Sequence, residues 1–223
     1  MVRLEYYFPG VGVLSAGAFR RDFEDFFAQS NAAATPEFLA LFGLDPAVYG
    51  DYDVATQYNL SNTTRIEGFD LNYKQALTFL PSWARGVQVF GNLSRQRVTG
   101  GAADFFSGYQ PKGANGGVSL TRPGYNLRVN FNYQGQRRQG AVTANGTDRI
   151  GPSIYNWRDD RLYIDVLGEI ALRRNLAFFF NLRNVNGQKD RVLIYGPSTP
   201  ANARFRQSTD FASLWTFGLK GSF

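Results

Sequence analysis

The stretch Trp215-Thr-Phe-Gly-Leu-Lys-Gly-Ser-Phe223 decides the fold, because its residues alternate between two kinds of side chain. Trp215, Phe217, Leu219, Gly221 and Phe223 form one series, and polar or small residues stand between them. Alternation with a period of two is typical of a β-strand with one apolar and one wet face. An ordinary amphipathic edge strand fits this pattern too, but the aromatic end is typical of a lipid-facing barrel strand.

Eight further segments alternate in the same way, so the sequence predicts nine strands. Two segments alternate most regularly. In the first, Phe69, Leu71 and Tyr73 are separated by polar residues, and in the second, apolar and polar residues alternate from Asn126 to Gln134. The predicted strands are Val2 to Phe8, Val11 to about Phe27, Asp53 to Phe79 with a break near Ser61-Asn62, Val87 to about Val98, Gly117 to Arg122, Asn126 to Gln134, Leu162 to Leu172, Leu176 to Arg183, and Trp215 to Phe223.

The connections between these strands alternate between short turns and long loops. Turns are predicted at 9–10, 80–85, 123–124 and 174–175, and loops at about 28–52, 99–115, 135–159 and around 196–203. In the first loop, Thr35-Pro36-Glu37 predicts the start of a short helix from Pro36 to Phe42. The asymmetry is typical of outer-membrane barrels. The predicted fold class is all-β, an antiparallel transmembrane β-barrel with short periplasmic turns and long extracellular loops.

The composition excludes several classes of protein. No run approaches the roughly 18 apolar residues of a membrane helix. Because there are no histidines and no cysteines, disulfides, thiolate metal sites and histidine-dependent catalysis are excluded. The net charge of +6 is dispersed along the chain, so no nucleic-acid partner is expected. A carboxylate pair such as Asp159-Asp160 or Glu24-Asp25 is more simply a solvated charge, and we expect no enzyme, catalytic residue, metal or cofactor.

Four segments resemble the barrel of TonB-dependent outer-membrane receptors. They are Leu14 to Phe27, Arg65-Ile-Glu-Gly-Phe-Asp-Leu-Asn-Tyr-Lys-Gln-Ala-Leu-Thr-Phe-Leu-Pro81, Leu176 to Val185, and Thr216 to Phe223. The resemblance implies that residues 1–223 are about nine C-terminal strands of a 22-stranded barrel. It also implies a bacterial outer-membrane receptor that takes up a nutrient such as a siderophore, cobalamin or a carbohydrate.

The chain departs from the family pattern in having no signal peptide and no plug domain, so we expect a fragment with two unpaired strand edges. Outer-membrane lipid is the expected partner. The plug and the TonB complex are partners only in a full-length protein. The resemblance further implies that the barrel-assembly machinery reads the final strand through Trp215, Phe217, Leu219 and Phe223.

Two sets of side chains are candidates for binding. Polar residues of the alternating strands would face the lumen or a plug, and aromatic or basic residues of the long loops would capture a small-molecule ligand of unknown identity. The lumen set is Asp70, Asn72, Lys74, Arg128, Asn130, Asn132, Asp165, Glu169 and Arg183. The loop set is Phe105, Phe106, Tyr109, Tyr155, Trp157, Arg158 and Tyr195.

Two alternative functions remain open from the sequence. A passive porin-like or structural outer-membrane barrel would show the same strand pattern. A soluble β-sandwich binding module would also alternate, with its polar faces in water and its apolar faces packed together.

Overall fold

The computed structural model describes residues 1–9, 12–60, 63–101, 103, 106–144, 148–149 and 153–221. Within these residues the chain forms seventeen strands, two short α-helices and two single 3-10 turns, Ser82–Ala84 and Ala201–Ala203. In chain order they are β1 (Val2–Tyr7), β2 (Gly12–Phe23), β3 (Phe26–Ala33), α1 (Pro36–Leu41), α2 (Pro46–Tyr49), β4 (Asp53–Leu60), β5 (Thr64–Ala76), β6 (Val87–Gly100), β7 (Lys112–Arg122), β8 (Tyr125–Gln134), β9 (Arg137–Ala141), β10 (Thr143–Ala144), β11 (Asp148–Arg149), β12 (Tyr155–Arg158), β13 (Arg161–Arg173), β14 (Leu176–Arg183), β15 (Asp190–Tyr195), β16 (Phe205–Thr209) and β17 (Leu214–Gly221).

Nine of these strands form one antiparallel sheet, called the main sheet below. Its order is β1-β2-β5-β6-β7-β8-β13-β14-β17, so each strand lies beside the main-sheet strand that precedes it in the chain. The sheet is open, because β1 and β17 are its edges and do not pair with each other in the described part of the chain. The protein is therefore all-β and antiparallel, as the alternation predicts.

Each predicted strand contributes one strand to the main sheet, but the strand predicted from Asp53 to Phe79 contains two: β4 pairs with β3 in a separate two-stranded sheet, and only β5 joins the main sheet. The predicted turns at Pro123-Gly124 and Arg174-Asn175 separate β7 from β8 and β13 from β14, and Gly124 has the positive φ of 94° that favours glycine. The predicted helix is confirmed as α1, where the Thr35 hydroxyl accepts a hydrogen bond from the Phe38 N–H at 3.2 Å. This contact is a side-chain N-cap.

The structure corrects the predicted boundaries and the picture of irregular loops. The strand predicted from Val11 to Phe27 ends at Phe23, since Asp25 has a positive φ of 52° and β3 starts afresh at Phe26. The predicted loops hold α2, most of β3, and the strands β9 to β12, β15 and β16, and β7 already begins at Lys112. Loop backbones need hydrogen-bond partners, and pairing between distant segments provides them.

The register divides the main sheet into two chemically different faces. Phe217 lies opposite Phe180, Phe180 opposite Gly168, and Gly168 opposite Leu127. Directly opposed residues of neighbouring strands share a face, so these residues belong to one apolar face. The residues that alternate with them along each strand form the opposite, polar face. The apolar face includes Leu4, Tyr6, Leu14, Phe69, Leu71, Tyr73, Val89, Leu93, Val118, Leu120, Leu127, Val129, Phe131, Leu162, Ile164, Val166, Ile170, Phe178, Phe180, Leu182, Trp215, Phe217 and Leu219.

No described element covers this apolar face. Trp215, Phe217 and Leu219 are 64%, 55% and 65% exposed. The buried hydrophobic residues of the described ranges lie in loops, turns and short loop elements, outside the nine strands; they are Leu39, Ala84, Val142 and Tyr155. The main sheet therefore presents its hydrophobic side chains to its surroundings rather than to a core.

Within the described residues, no helix combines the length and the apolar character needed to cross a membrane.

The long loops between β8 and β13 and between β14 and β17 form a second sheet, called the loop sheet below. Its order is β16-β15-β12-β9, so each loop contributes two strands. The loop before β7 is tied to it, because the Gly108 N–H donates to the Arg138 carbonyl at 2.8 Å. Beside β13, the Asn186 side-chain amide takes the place of a neighbouring strand's backbone: it accepts a hydrogen bond from the Ile164 N–H at 3.1 Å and donates one to the Leu162 carbonyl at 2.7 Å.

Candidate functional site

The loop sheet brings together three residues of the predicted ligand-binding set. Tyr155 and Trp157 stand two positions apart on β12, so their side chains project from the same face. Tyr195 lies directly opposite Tyr155 on the neighbouring strand β15. The rings of Trp157 and Tyr195 stack with centroids 4.8 Å apart and 8° between their planes.

Hydrogen bonds hold this aromatic group in place. The Trp157 indole N–H donates to the Tyr195 carbonyl at 3.3 Å. The Tyr195 hydroxyl donates to the Gln136 side-chain carbonyl at 2.7 Å. Burial raises the pKa of Tyr195 above its ordinary value, while the nearby Arg204 opposes the rise. The phenol therefore stays protonated at neutral pH and remains a hydrogen-bond donor.

Two arginines that the sequence reasoning missed complete the group. The Arg138 guanidinium lies 4.6 Å from the ring centroid of Tyr155, and that of Arg204 lies 4.6 Å from the ring centroid of Tyr195. Both are cation–π contacts. Arg138 also donates to the Ala103 carbonyl, and the Arg204 Nε donates to the Thr199 carbonyl at 3.1 Å. Arg138 reaches the aromatic group because β9 pairs with β12, and Arg204 reaches it because β15 pairs with β16.

These five side chains line a cleft of 330 Å³, called the loop-sheet cleft below, together with Ser153, Gly196 and Pro197. Its volume falls at the lower end of the range for small-molecule sites. Among the described residues that line it, two are cationic and none is a carboxylate. Stacked aromatic rings offer a flat apolar surface and the guanidiniums offer positive charge. The cleft is suited to a small anion that carries a flat ring.

Arg158, also in the predicted set, does not face this cleft. It lies on the opposite side of β12 from Trp157 and forms an ion pair with Asp190 at 3.0 Å. Arg161 pairs with the same Asp190 oxygen at 3.3 Å, and Arg137 lies directly opposite Arg158. Burial first, and then the charges of Arg158 and Arg161, lower the pKa of Arg137. This cluster joins the loop sheet to the main sheet, since Arg161 begins β13.

The other members of the predicted loop set lie elsewhere. Phe106 contacts Phe23 at 5.8 Å between ring centroids, near the end of β2. Tyr109 lines a separate groove at the end of the main sheet where the long loops begin. Phe105 lies outside the described residues. A role in ligand binding for these residues and for Arg158 stays a prediction.

All nine residues predicted to face a lumen lie on the polar face of the main sheet. The register aligns Asn72, Asn92, Asn115 and Asn132 in one row across four neighbouring strands. Within the row, the Asn92 amide donates to Asn115 at 2.9 Å. The remaining predicted residues occupy adjoining positions of the same face; they are Asp70, Lys74, Arg128, Asn130, Asp165, Glu169 and Arg183.

Several of these polar side chains have partners within the protein. Asp70 pairs with Arg3 at 3.3 Å, and Glu169 pairs with Lys220 at 3.4 Å. An Asp165 oxygen accepts from the Asn184 N–H at 2.9 Å. Shallow grooves of 230 and 370 Å³ run along this face, and the second is lined by Lys74 and Arg128. These contacts partly cross-link the polar face, and its role in contacting a plug or solute stays a prediction.

Of the predicted assembly signal, Trp215, Phe217 and Leu219 lie on the exposed apolar face of β17. Phe223 lies outside the described residues. In the described part of the chain, no group of three or more acidic, histidine or cysteine side chains is placed to hold a metal ion.

The chain matches no known protein family, no curated protein and no solved structure.

Proposed function

We propose that the main sheet is part of a transmembrane β-barrel in the bacterial outer membrane, and that this barrel belongs to a TonB-dependent receptor for a small-molecule nutrient. The observation that carries the proposal is the uncovered apolar face, on which Trp215, Phe217 and Leu219 are more than half exposed. Lipid is the surrounding in which such a face is favourable, since the seven strands between β1 and β17 are paired on both sides and satisfy one another's backbone hydrogen bonds.

The dimensions of the apolar face agree with a bilayer. On β13 it runs from Leu162 to Ile170, which matches the roughly 9–11 residues that a tilted strand needs to cross the hydrocarbon core. β5 and β6 have 13 and 14 residues, so they extend beyond the lipid on the side of the long loops. Trp83, in the turn at the other end, is 80% exposed and suits the headgroup level.

A soluble sandwich is less compatible with the same observations. In a sandwich the apolar face of one sheet packs on the apolar face of another, about 10 Å away. The loop sheet does not fill that role, because the apolar face remains exposed. The edges β1 and β17 in turn favour a barrel, since further strands pairing with them would remove the open edges.

The receptor part of the proposal rests on the resemblance of four segments to TonB-dependent receptors and on the loop-sheet cleft. The cleft is built from the long loops, at the end of the sheet that would face the outside. Its stacked rings and two arginines supply the means to capture a small anionic ligand with a flat ring. Energy from the TonB complex would reach this barrel only through a plug domain.

Single cysteines test the proposed orientation, because the native chain has none. Val118→Cys and Ser119→Cys are adjacent on β7, on the apolar and polar faces respectively. In vesicles, we expect a lipid-soluble pyrene maleimide to label Val118→Cys and a charged, water-soluble maleimide to label Ser119→Cys. A chain that stays monomeric in water without detergent, with Val118→Cys inert to both reagents, would favour the soluble sandwich.

Conductance separates the receptor from the passive porin. A plugged or incomplete barrel gives no steady open channel in planar bilayers. A steady, ligand-independent conductance from vesicle-inserted protein would contradict the receptor and favour the porin.

A further inference from the structure

The apolar face of the main sheet changes character at the end where the long loops begin. Phe69 lies opposite Arg95, and Arg95 lies opposite Lys112. One row nearer the middle of the sheet, Leu71 lies opposite Leu93, and Leu93 opposite Ala114. Two cationic side chains, Arg95 and Lys112, therefore lie directly next to the apolar residues on the same face of the sheet.

These side chains line a groove of 690 Å³, called the rim groove below. Four strands contribute to it, and its charged residues are Arg20, Glu67, Arg95, Arg97 and Lys112. Phe69, Tyr109 and Pro111 add apolar and aromatic surface. The groove thus has a cationic border and an apolar floor that is continuous with the apolar face.

The positive charge of the rim groove is not balanced from within. Arg97 pairs with Glu67, and Arg20 pairs with Asp22 at 2.9 Å. Arg95 and Lys112 are exposed, and neither has an ion-pair partner among the described residues. Two like charges directly opposite each other on a sheet are unfavourable. An anion placed between them would remove this repulsion.

We infer that the rim groove binds the phosphate of a lipid headgroup in the outward-facing leaflet. Arg95 and Lys112 would bind the phosphate oxygens by charge-assisted hydrogen bonds. The acyl chains would pass over Phe69 and then over Leu71 and Leu93 on the apolar face. A free phosphate would use the cations but not the apolar floor. This inference rests on the proposed membrane location and adds a specific lipid partner to it.

Native mass spectrometry of the full chain, folded in uncharged detergent micelles, tests the inference. The probes are phosphatidic acid and phosphatidylcholine with the same acyl chains, and inorganic phosphate. We expect phosphatidic acid to bind in preference to phosphatidylcholine. The double variant R95Q/K112Q should weaken phosphatidic acid binding by about tenfold or more, because it removes two charge-assisted contacts.

The matched control is K74Q/R128Q, which removes two cations from the polar face and should leave the preference intact. R95K/K112R changes the same two positions but keeps both positive charges, and it should retain the preference for phosphatidic acid. A loss in R95Q/K112Q alone is then due to the missing charges and not to misfolding caused by substitution at these positions. Equal binding of the two lipids, an equal loss in K74Q/R128Q, or inorganic phosphate binding as tightly as the lipid would overturn the inference. If the lipid preference is absent while Val118→Cys still reacts with pyrene maleimide, only this inference fails and the proposed membrane location stands.

Discussion

The rings of Trp157 and Tyr195 lie nearly parallel, with centroids 4.8 Å apart, although the two residues come from different long loops. Tyr195 in turn lies under the guanidinium of Arg204 at 4.6 Å. The loop-sheet cleft therefore exists only while β12 and β15 are paired. Ligand binding and the order of both loops should be coupled.

Trp157 provides a direct readout of this cleft. The chain has three tryptophans, so W83F/W215F leaves Trp157 as the sole emitter. We expect benzoate, a flat anion, to quench its emission saturably, and the neutral benzyl alcohol to do so weakly. Arg204→Gln should weaken benzoate binding by about tenfold, because a charge-assisted contact is lost.

The control for that substitution is Arg191→Gln, which removes an exposed arginine of β15 that does not line the cleft. Equal quenching by benzoate and benzyl alcohol, or an equal loss in both arginine variants, would contradict an anion site at this cleft.

Asn184 should be the most sensitive residue of the loop between β14 and β17. It is 7% exposed and has a positive φ of 53°. Its side-chain N–H groups donate to the carbonyls of Ala212 at 2.9 Å and Gln188 at 3.1 Å. Asn184→Ala should cost about 2–3 kcal/mol in unfolding free energy, because it leaves buried groups unpaired and strains the backbone.

Asn184→Gly separates these two causes, since glycine accepts the positive φ but restores no hydrogen bond. It should be less destabilising than Asn184→Ala in denaturant unfolding followed by circular dichroism. Wild-type stability in both variants would show that this hydrogen-bonded junction does not hold the loop.

Gly168 should not tolerate a side chain, because the ring of Phe180 on the adjacent strand covers it. A Cβ at Gly168 would lie 2.4 Å from the Cζ atom of Phe180. Gly168→Ala should therefore destabilise the main sheet by about 1–3 kcal/mol through overpacking. Phe180→Leu should partly rescue it. The control is Gly91→Ala on the same face, where the nearest atom is 3.9 Å away.

The turn before β17 should loosen in acid. The Ala212 N–H donates to Asp210 at 2.9 Å, and Lys189 lies 3.2 Å from the same carboxylate. The first of these contacts and then the second lower the pKa of Asp210 below its ordinary value of 3.8. Because the folded-state pKa is the lower one, the stabilisation is present above pH 3.8 and is lost as the pH falls through the folded value. The protection factor of the Ala212 amide in hydrogen exchange should fall over that range in the wild type but not in Asp210→Asn.

The main sheet could be predicted because its signal is local. The alternation that separates Phe69 and Leu71 from Asp70 and Asn72 is a property of neighbouring residues, and it assigns both faces of every long strand. The arginines of the cleft could not be predicted in the same way. Arg138 reaches Tyr155 because β9 pairs with β12, and Arg204 reaches Tyr195 because β15 pairs with the segment that enters β16. Each of these pairings contains a register shift, which alternation along one strand does not predict. The position of Arg158 on the opposite side of β12 from Trp157 could not be predicted either, because the sequence predicts an irregular loop where β12 forms.

The depth of two tryptophans in a bilayer tests most directly whether the apolar face of the main sheet faces lipid. W83F/W157F leaves Trp215 on the apolar face, and W83F/W215F leaves Trp157 in the loop sheet. In vesicles of phosphatidylcholine brominated on its acyl chains, lipid contact quenches tryptophan emission. If the apolar face meets lipid, Trp215 should be strongly quenched and Trp157 little quenched. Equal quenching of the two, or a chain that stays in the aqueous phase with Trp215 unquenched, would contradict the claim that the apolar face of the main sheet faces lipid.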